Sequence, residues 1–361
     1  MRLSLTRREV LCGAVAVGWQ TGTTRASGDP AMPSSSPQSI HGMIQTVLGP
    51  IPASQFGLAL PHEHVMCDFA GAEQTGRHRW NVAEVVRVMK PFLQALRRRG
   101  VRGFVDCTPA FIGRDPRVLQ QLARETGLHI LTSTGYYGGA SDRFLPPHAF
   151  SETPQQLAAR WIREWEQGIE DTGVRPGHIK IGVDEATGDP PSLSAVDAKL
   201  VDAAAIVSRR TGLTVTCHTG GAIAGYQAAE RFVRAGGSPA RFIVAHSDGH
   251  GTETNRRVAE LGCWVSLDGH GSRALEAHLA TLEPLLERHA HRLLLSMDSG
   301  WYNVGEPEGG RIRDYTYLTD TFLPALRRRG IAEAVIRRLT VENPARAFAL
   351  VPAPAITAEG P

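Results

Sequence analysis

Residues 58–66 read Leu58-Ala59-Leu60-Pro61-His62-Glu63-His64-Val65-Met66, an apolar run that carries two imidazoles two positions apart. In an extended strand, side chains at i and i+2 share a face, so His62 and His64 point one way and Glu63 the other. The same grammar, a short run rich in β-branched residues or leucine with polar residues at its end, returns along the chain. It is found at 103–108, 130–134, 179–183, 213–218, 242–246, 264–267 and 292–297. With 58–66, that predicts eight strands.

Longer amphipathic stretches separate them. Val85, Met89, Phe92 and Leu96 recur at helical spacing, which predicts one inward face. Asp115-Pro116 and Thr153-Pro154 each place a capping side chain before a first-turn proline. Gly100, Gly127, Gly173, Gly212, Gly236, Gly262 and Gly330 stand where helices should close, because glycine adopts the left-handed conformation that ends a helix. Strands alternating with helices read as a parallel sheet. Eight such units predict an α/β fold, a (β/α)8 TIM barrel, rather than an open doubly wound sheet. No G-x-G-x-x-G follows the first strand, which excludes a dinucleotide-binding fold. Residues 40–56 are expected to form a small hairpin closing the barrel bottom.

The 361 residues are 42% hydrophobic and 21% charged, enough apolar material for a large core. The formal charge of +3 is supplied entirely by Arg2, Arg7, Arg8 and Arg25 against Glu9. A neutral body argues against nucleic-acid binding, and no later apolar run is long enough to span a bilayer. Arg7-Arg8 precede an apolar stretch at 10–19, and Thr24-Arg25-Ala26 offers a small-x-small cleavage pattern. This resembles a Tat signal, with an ordinary Sec leader or a basic tail as alternatives. The expected organisation is an N-terminal signal segment over 1–26, a flexible Pro/Ser-rich linker over 27–39, the barrel over 40–352 and a disordered tail over 353–361. Such a chain is exported, to the periplasm, and has no membrane contact in its mature form. No C-x-x-C pair exists, so a zinc ribbon is excluded. Cys67, Cys107, Cys217 and Cys263 lie in or beside strands and are expected to be free, buried thiols.

The chemistry gathers at the carboxyl ends of the strands, which in a barrel converge on one face. Strand one carries His62 and His64, strand four Lys180, strand five His218, strand six His246 and strand eight Asp298. Each has an ordinary reading alone: a hydrogen-bonded strand histidine, a surface lysine, a helix-capping aspartate. Yet Lys180 between Ile179 and Ile181 should be buried, where an unpaired ammonium is costly. A divalent metal centre accounts for all six together.

These residues, in this order, resemble the phosphotriesterase family of the amidohydrolase superfamily. The resemblance runs from Thr46-Val47-Leu48-Gly49-Pro50 through Leu60-Pro61-His62-Glu63-His64 to Val341-Glu342-Asn343-Pro344-Ala345-Arg346. It implies a barrel holding two divalent metal ions, usually Zn2+. His62, His64 and Asp298 would bind the more buried ion and His218 and His246 the more exposed one. Lys180, carboxylated on its amine, would bridge them, and an anionic bridge makes physical sense between two dications. A hydroxide shared by the metals would attack the substrate, with Asp298 as the catalytic proton acceptor.

Substrate is the less determined part. Thr134-Gly135-Tyr136-Tyr137 resembles the lactonase-like branch, in which a tyrosine points at the substrate oxygen, and Tyr137 fits that place. The alternative is an aromatic that only packs the rim. Lactonase-like members have arginine where Gly269 falls and phosphotriesterases histidine, so His270, one place on, is the candidate third catalytic residue. Ser247-Asp248-Gly249 also lacks the second aspartate of the phosphotriesterase proton relay. The loop from Ser299 to Arg313, with Trp301 and Tyr302, is expected to cover the pocket. The favoured function is hydrolysis of a small-molecule lactone or carboxylic ester. Phosphotriester hydrolysis by the same centre and a non-catalytic exported metal-binding protein are the alternatives. The resemblance also implies a homodimer.

Overall fold

The computed structural model describes residues 42–351. The signal segment, the linker and the tail predicted from the sequence lie outside the described residues. The described chain opens with an antiparallel hairpin, β1 (Met43–Thr46) and β2 (Gly49–Pro52). A run of parallel strands follows: β3 (Leu58–Cys67), β4 (Val101–Asp106), β5 (His129–Leu131), β6 (Ser133–Thr134), β7 (His178–Val183), β8 (Val215–Thr219), β9 (Phe242–Val244), β10 (Trp264–Leu267) and β11 (Leu293–Leu295). Each pairs with its neighbour in chain order, and β5 and β6 are one strand interrupted at Thr132. Just past β11 the chain returns to β3. The His62 N–H donates to Ser296 Oγ at 2.9 Å, Asp298 N–H donates to the His62 carbonyl at 3.1 Å, and β12 (Gly300–Asn303) runs parallel to β3. The strands therefore succeed one another around a ring, an α/β fold of parallel strands that fits a (β/α)8 barrel.

Helices occupy the connections: α1 (Val82–Arg98), α2 (Pro116–Thr126), the short α3 (His148–Ser151) with α4 (Pro154–Gln167), α5 (Ala195–Thr211), α6 (Ala222–Arg234), α7 (Gly251–Glu260) and α8 (Leu275–His289). Their ends follow local chemistry. The Asp115 carboxylate accepts from Arg117 N–H ahead of Pro116, and Thr153 forms a reciprocal capping box with Gln156. Gly127 and Gly212 close α2 and α5 in the left-handed conformation, at φ 71° and 76°. Gly173 does not close a helix: α4 stops at Gln167, and Gly173 turns the loop that lets Ile169 N–H reach the Val174 carbonyl at 2.8 Å. No helix among the described residues is long and apolar enough to cross a membrane.

The core has two layers. Leu60, Phe104, Ile179, Ile181, Val215 and Val265 pack outward against the helices. Ala59, Val105, Leu131, Ile243 and Leu294 fill the interior, with Ile44, Phe56 and Phe348 joining them at the bottom. Each fully buried large side chain contributes about 1.5–3 kcal/mol. In β7 the alternation is strict: Ile179, Ile181 and Val183 face the helices, so Lys180 faces inward. In β3 it is not. The register against β4 shifts between Leu60 and Glu63, so Leu60 packs outward while His62 and His64 both face in. The four cysteines within the described residues are free and buried.

Gly135, which follows β6, has φ +108°, and a Cβ there would collide with the Lys180 backbone. Gly330, at φ +78°, has open space around its Cβ position. Gly135→Ala should lose on the order of 3 kcal/mol, strain plus overlap, and Gly330→Ala about 1 kcal/mol, strain alone. Urea denaturation midpoints check this, and equal losses would contradict it.

Candidate metal centre

The inward residues at the carboxyl ends of the strands meet around a cavity of about 510 Å³. His62, His64, Lys180, His218, His246 and Asp298 all line it, with Phe69, Ile112, Tyr137, Phe144 and Trp301 as apolar walls. His62 and His64 are nearly fully buried, whereas His218 and His246 are half-buried. His64 Nε2 lies 3.1 Å from Asp298 Oδ1, and His62 Nε2 lies 3.8 Å from it. Lys180 Nζ is 3.1 Å from His62 Nε2, and His218 Nδ1 is 2.7 Å from His246 Nε2.

Hydrogen bonds on the far side of each ring set which nitrogen carries the lone pair. Asp268 is acceptor-only and fully buried. It lies 2.7 Å from His62 Nδ1 and 3.0 Å from His246 Nδ1, so both of those nitrogens are the N–H donors. The Thr108 hydroxyl donates to the Met66 carbonyl at 3.1 Å and therefore accepts from His64 Nδ1 at 2.9 Å. Each of the three imidazoles thus presents Nε2 as a lone pair toward the cavity. That is the arrangement a cation requires.

Asp268 falls within ligand distance of His62 and His246, but its oxygens are already taken by those rings, by His246 N–H and by the Ser266 hydroxyl. It positions ligands rather than being one. Asp298 differs. Its Oδ1 is buried without a hydrogen bond, and with His62 and His64 it brings one ligand atom each within 4.8 Å of the others. Burial alone would raise the Asp298 pKa, yet the facing His64, His62 and His246 rings, which favour the anion whenever they carry a proton, hold it well below the usual carboxylate range. Burial, then the Lys180 charge, pushes His62 down to about 4, so it is neutral and ligand-ready at pH 7. His218 is pushed well down by burial and then by His246. The donor set therefore fits divalent cations: imidazole nitrogens turned to the cavity, an ionised and unsatisfied carboxylate, and a buried amine.

Backbone geometry serves the same end. Asp298 and His246 hold positive φ, 48° and 59°, a conformation that non-glycine residues rarely adopt. Glu63, on the opposite face of β3, fixes the first of these. Its carboxyl accepts from Ser296 Oγ at 2.8 Å, Met297 N–H at 3.0 Å and Ser299 N–H at 2.7 Å, bracketing Asp298. Burial pushes its own pKa up to about 8.

A sequence model of the Phosphotriesterase family matches residues 42–348. The chain belongs to that family. It is 30% identical over 299 residues to the phosphotriesterase homology protein of Escherichia coli (strain K12), covering 81% of this chain and 98% of that one. Among solved structures it is similar to organophosphorus hydrolase from Deinococcus radiodurans, at 32% identity and a TM-score of 0.75, over 88% of this chain and all of that one. A mutant of a PTE-like lactonase from the same organism gives 33% identity and a TM-score of 0.75, over 85% of this chain and 100% of that one.

The predicted site residues do not all meet. Tyr137 lines the cavity, its ring centroid 4.8 Å from that of His218. His270 does not line it, which corrects its assignment as a catalytic residue. Its ring is buried against Phe322, 4.0 Å between centroids, because it follows Asp268 by two positions on a chain that has already turned away from the mouth. Of the region expected to cover the pocket, the Trp301 ring lies tilted against that of His64, centroids 4.7 Å apart, whereas the Tyr302 hydroxyl donates to Glu84 at 2.7 Å. Asp268, Glu63 and Thr108 were missed. The only signal in the sequence was Asp268 at the end of the seventh strand, where its parity with Ser266 could have placed it inward.

Asp268→Asn keeps the shape but leaves a group that cannot accept from both imidazoles. Metal affinity should fall 10- to 100-fold, read by competition with a chromogenic chelator. An unchanged affinity would show that Asp268 does not position His62 and His246.

Proposed function

We propose that this member of the phosphotriesterase family uses a pair of divalent cations, zinc ions by donor set, to hydrolyse a lactone or a carboxylic ester. The observation that carries the reading is the convergence of His62, His64, Lys180, His218, His246 and Asp298 on one cavity. A cation pair bound there supplies Lewis acidity toward a carbonyl oxygen and a hydroxide nucleophile at neutral pH.

The chain's own residues do the rest. His62, His64 and Asp298 would hold one ion, and His218 Nδ1 with His246 Nε2 the other once their 2.7 Å contact relaxes. Lys180 is buried and meets an imidazole nitrogen rather than a carboxylate. As a neutral amine its Nζ can bond the carbon of carbon dioxide and release a proton, leaving a carbamate whose negative charge offsets the paired dications. Asp298, ionised at neutral pH, accepts the proton of the nucleophile and returns it to the leaving alkoxide.

Tyr137 and the apolar walls support the lactone or ester. Burial pushes the Tyr137 phenol well up, so it stays protonated and can donate to a substrate oxygen. Phe69, Ile112, Phe144 and Trp301 suit an acyl chain. The similarity to a protein described as a PTE-like lactonase agrees with this reading. Phosphotriester hydrolysis is the second reading, favoured by the similarity to organophosphorus hydrolase. Against it, Gly269 stands where a histidine would be needed, and its N–H is taken by Asp248 Oδ2 at 2.9 Å.

Protein loaded with zinc or cobalt should turn over lactones or aryl esters with a kcat/KM at least about tenfold above that for phosphotriesters, a difference of roughly 1.4 kcal/mol. Lys180→Ala should fall to background and recover in part with added short carboxylates. Faster phosphotriester turnover would select the second reading. Metal-loaded protein inert toward every ester class would overturn both.

A further inference from the structure

A second group of ionisable side chains is buried away from the barrel mouth. Asp248 follows β9, two positions beyond His246; His270 follows β10, two beyond Asp268; His278 stands in the first half of α8. All three are more than nine-tenths buried, and none lines the cavity at the mouth. They bring a carboxylate oxygen and two imidazole nitrogens within 4.8 Å of one another.

Each of the three side chains carries an unsatisfied polar atom. Asp248 Oδ1, both ring nitrogens of His270 and Nε2 of His278 are buried without a hydrogen-bond partner among the described residues. The approach of His278 Nδ1 to Asp248 Oδ1, 3.6 Å, is too long for a hydrogen bond. A buried polar atom left unpaired costs about 1–3 kcal/mol, so unpaired atoms on three side chains that face one another call for a shared partner. The surroundings hold the donors in place. Asp248 Oδ2 accepts from Gly269 N–H at 2.9 Å, which leaves Oδ1 free, and the His270 ring is fixed between Phe322 and His278, centroids 4.0 and 4.7 Å away. Burial pushes His270 down to about 4, so its imidazole is neutral and carries a lone pair at pH 7.

We propose that Asp248, His270 and His278 form a separate site for one divalent transition-metal ion, distinct from the pair at the mouth. Two imidazoles and one carboxylate are the donor set of Zn2+ and its first-row neighbours. Mg2+ and Ca2+ favour all-oxygen shells and fit poorly. The ion would join the segments after β9 and β10 to α8. Those segments directly continue the ones that carry His246 and Asp268, so the ion acts as a positioning device for the mouth without touching substrate. A buried water could satisfy the same atoms, and the experiment separates the two.

Metal-free full-length protein is titrated with Zn2+ or Co2+ alone, and bound metal is counted after desalting. Wild type should hold one equivalent more than His270→Gln/His278→Gln, and its Co2+ absorption spectrum should contain a component that this variant lacks. This difference does not depend on whether the mouth pair fills, so the proposal can fail without the functional reading failing, and the reverse. In the background of His64→Ala/Asp298→Ala/His218→Ala, which leaves each mouth position a single imidazole, one tight equivalent should remain. That arm also decides the matter if the His270→Gln/His278→Gln variant does not fold. Equal metal content and equal spectra in wild type and His270→Gln/His278→Gln, or no ion retained when the mouth is disabled, would overturn the proposal and leave water as the occupant.

Discussion

One buried carboxylate governs the geometry of the mouth. Asp268, with no exposed surface, sits between imidazoles from β3 and from just past β9 and takes an N–H from each. Burying an anion this way is tolerable only because four donors converge on it. Burial would raise its pKa, but His246 and His62 hold it well below the ordinary carboxylate range. The result is that two rings from opposite parts of the ring of strands are locked with their lone pairs facing the same space. Without that bridge, each imidazole would be free to rotate or change tautomer, and a convergent site would become a set of separate histidines.

The second constraint is how Asp298 is delivered. It leaves the eighth strand in a left-handed conformation and is held on both sides by Glu63, which reaches from the back of β3. The His62-Glu63-His64 triplet therefore works on both faces of the sheet. Two side chains face the cavity, and the one between them anchors the segment that brings the carboxylate. Gly300, two residues on, packs so closely on the His64 carbonyl and Tyr315 that no side chain fits there.

Much of this was legible in the sequence. All eight predicted strands are present, because inward and outward parity leaves a clear apolar pattern in parallel strands flanked by helices. Lys180 between Ile179 and Ile181 is the clearest example: burial followed from its neighbours and the inward face from alternation. The bulge at Pro61 was not legible, since simple alternation would put Leu60 on the same side as His62. Gly173 misled because a glycine that turns a loop reads like one that ends a helix. His270 misled for a related reason: its position in the chain suggested the cavity, but orientation after a strand end depends on the turn taken, and that turn buries it behind α8. Asp268 was passed over because a buried aspartate signals its role only through partners far away in the chain, at separations of 206 and 22 residues.

The central claim is that six side chains at the strand ends hold a cation pair joined through a modified lysine. Crystals grown in the presence of zinc and carbon dioxide, with data recorded on either side of the zinc absorption edge, test it directly. Two anomalous peaks are expected, one among His62, His64 and Asp298 and one at His218 and His246, with density extending past Lys180 Nζ by a carboxyl group. A plain lysine side chain with no anomalous signal at the mouth would contradict the account.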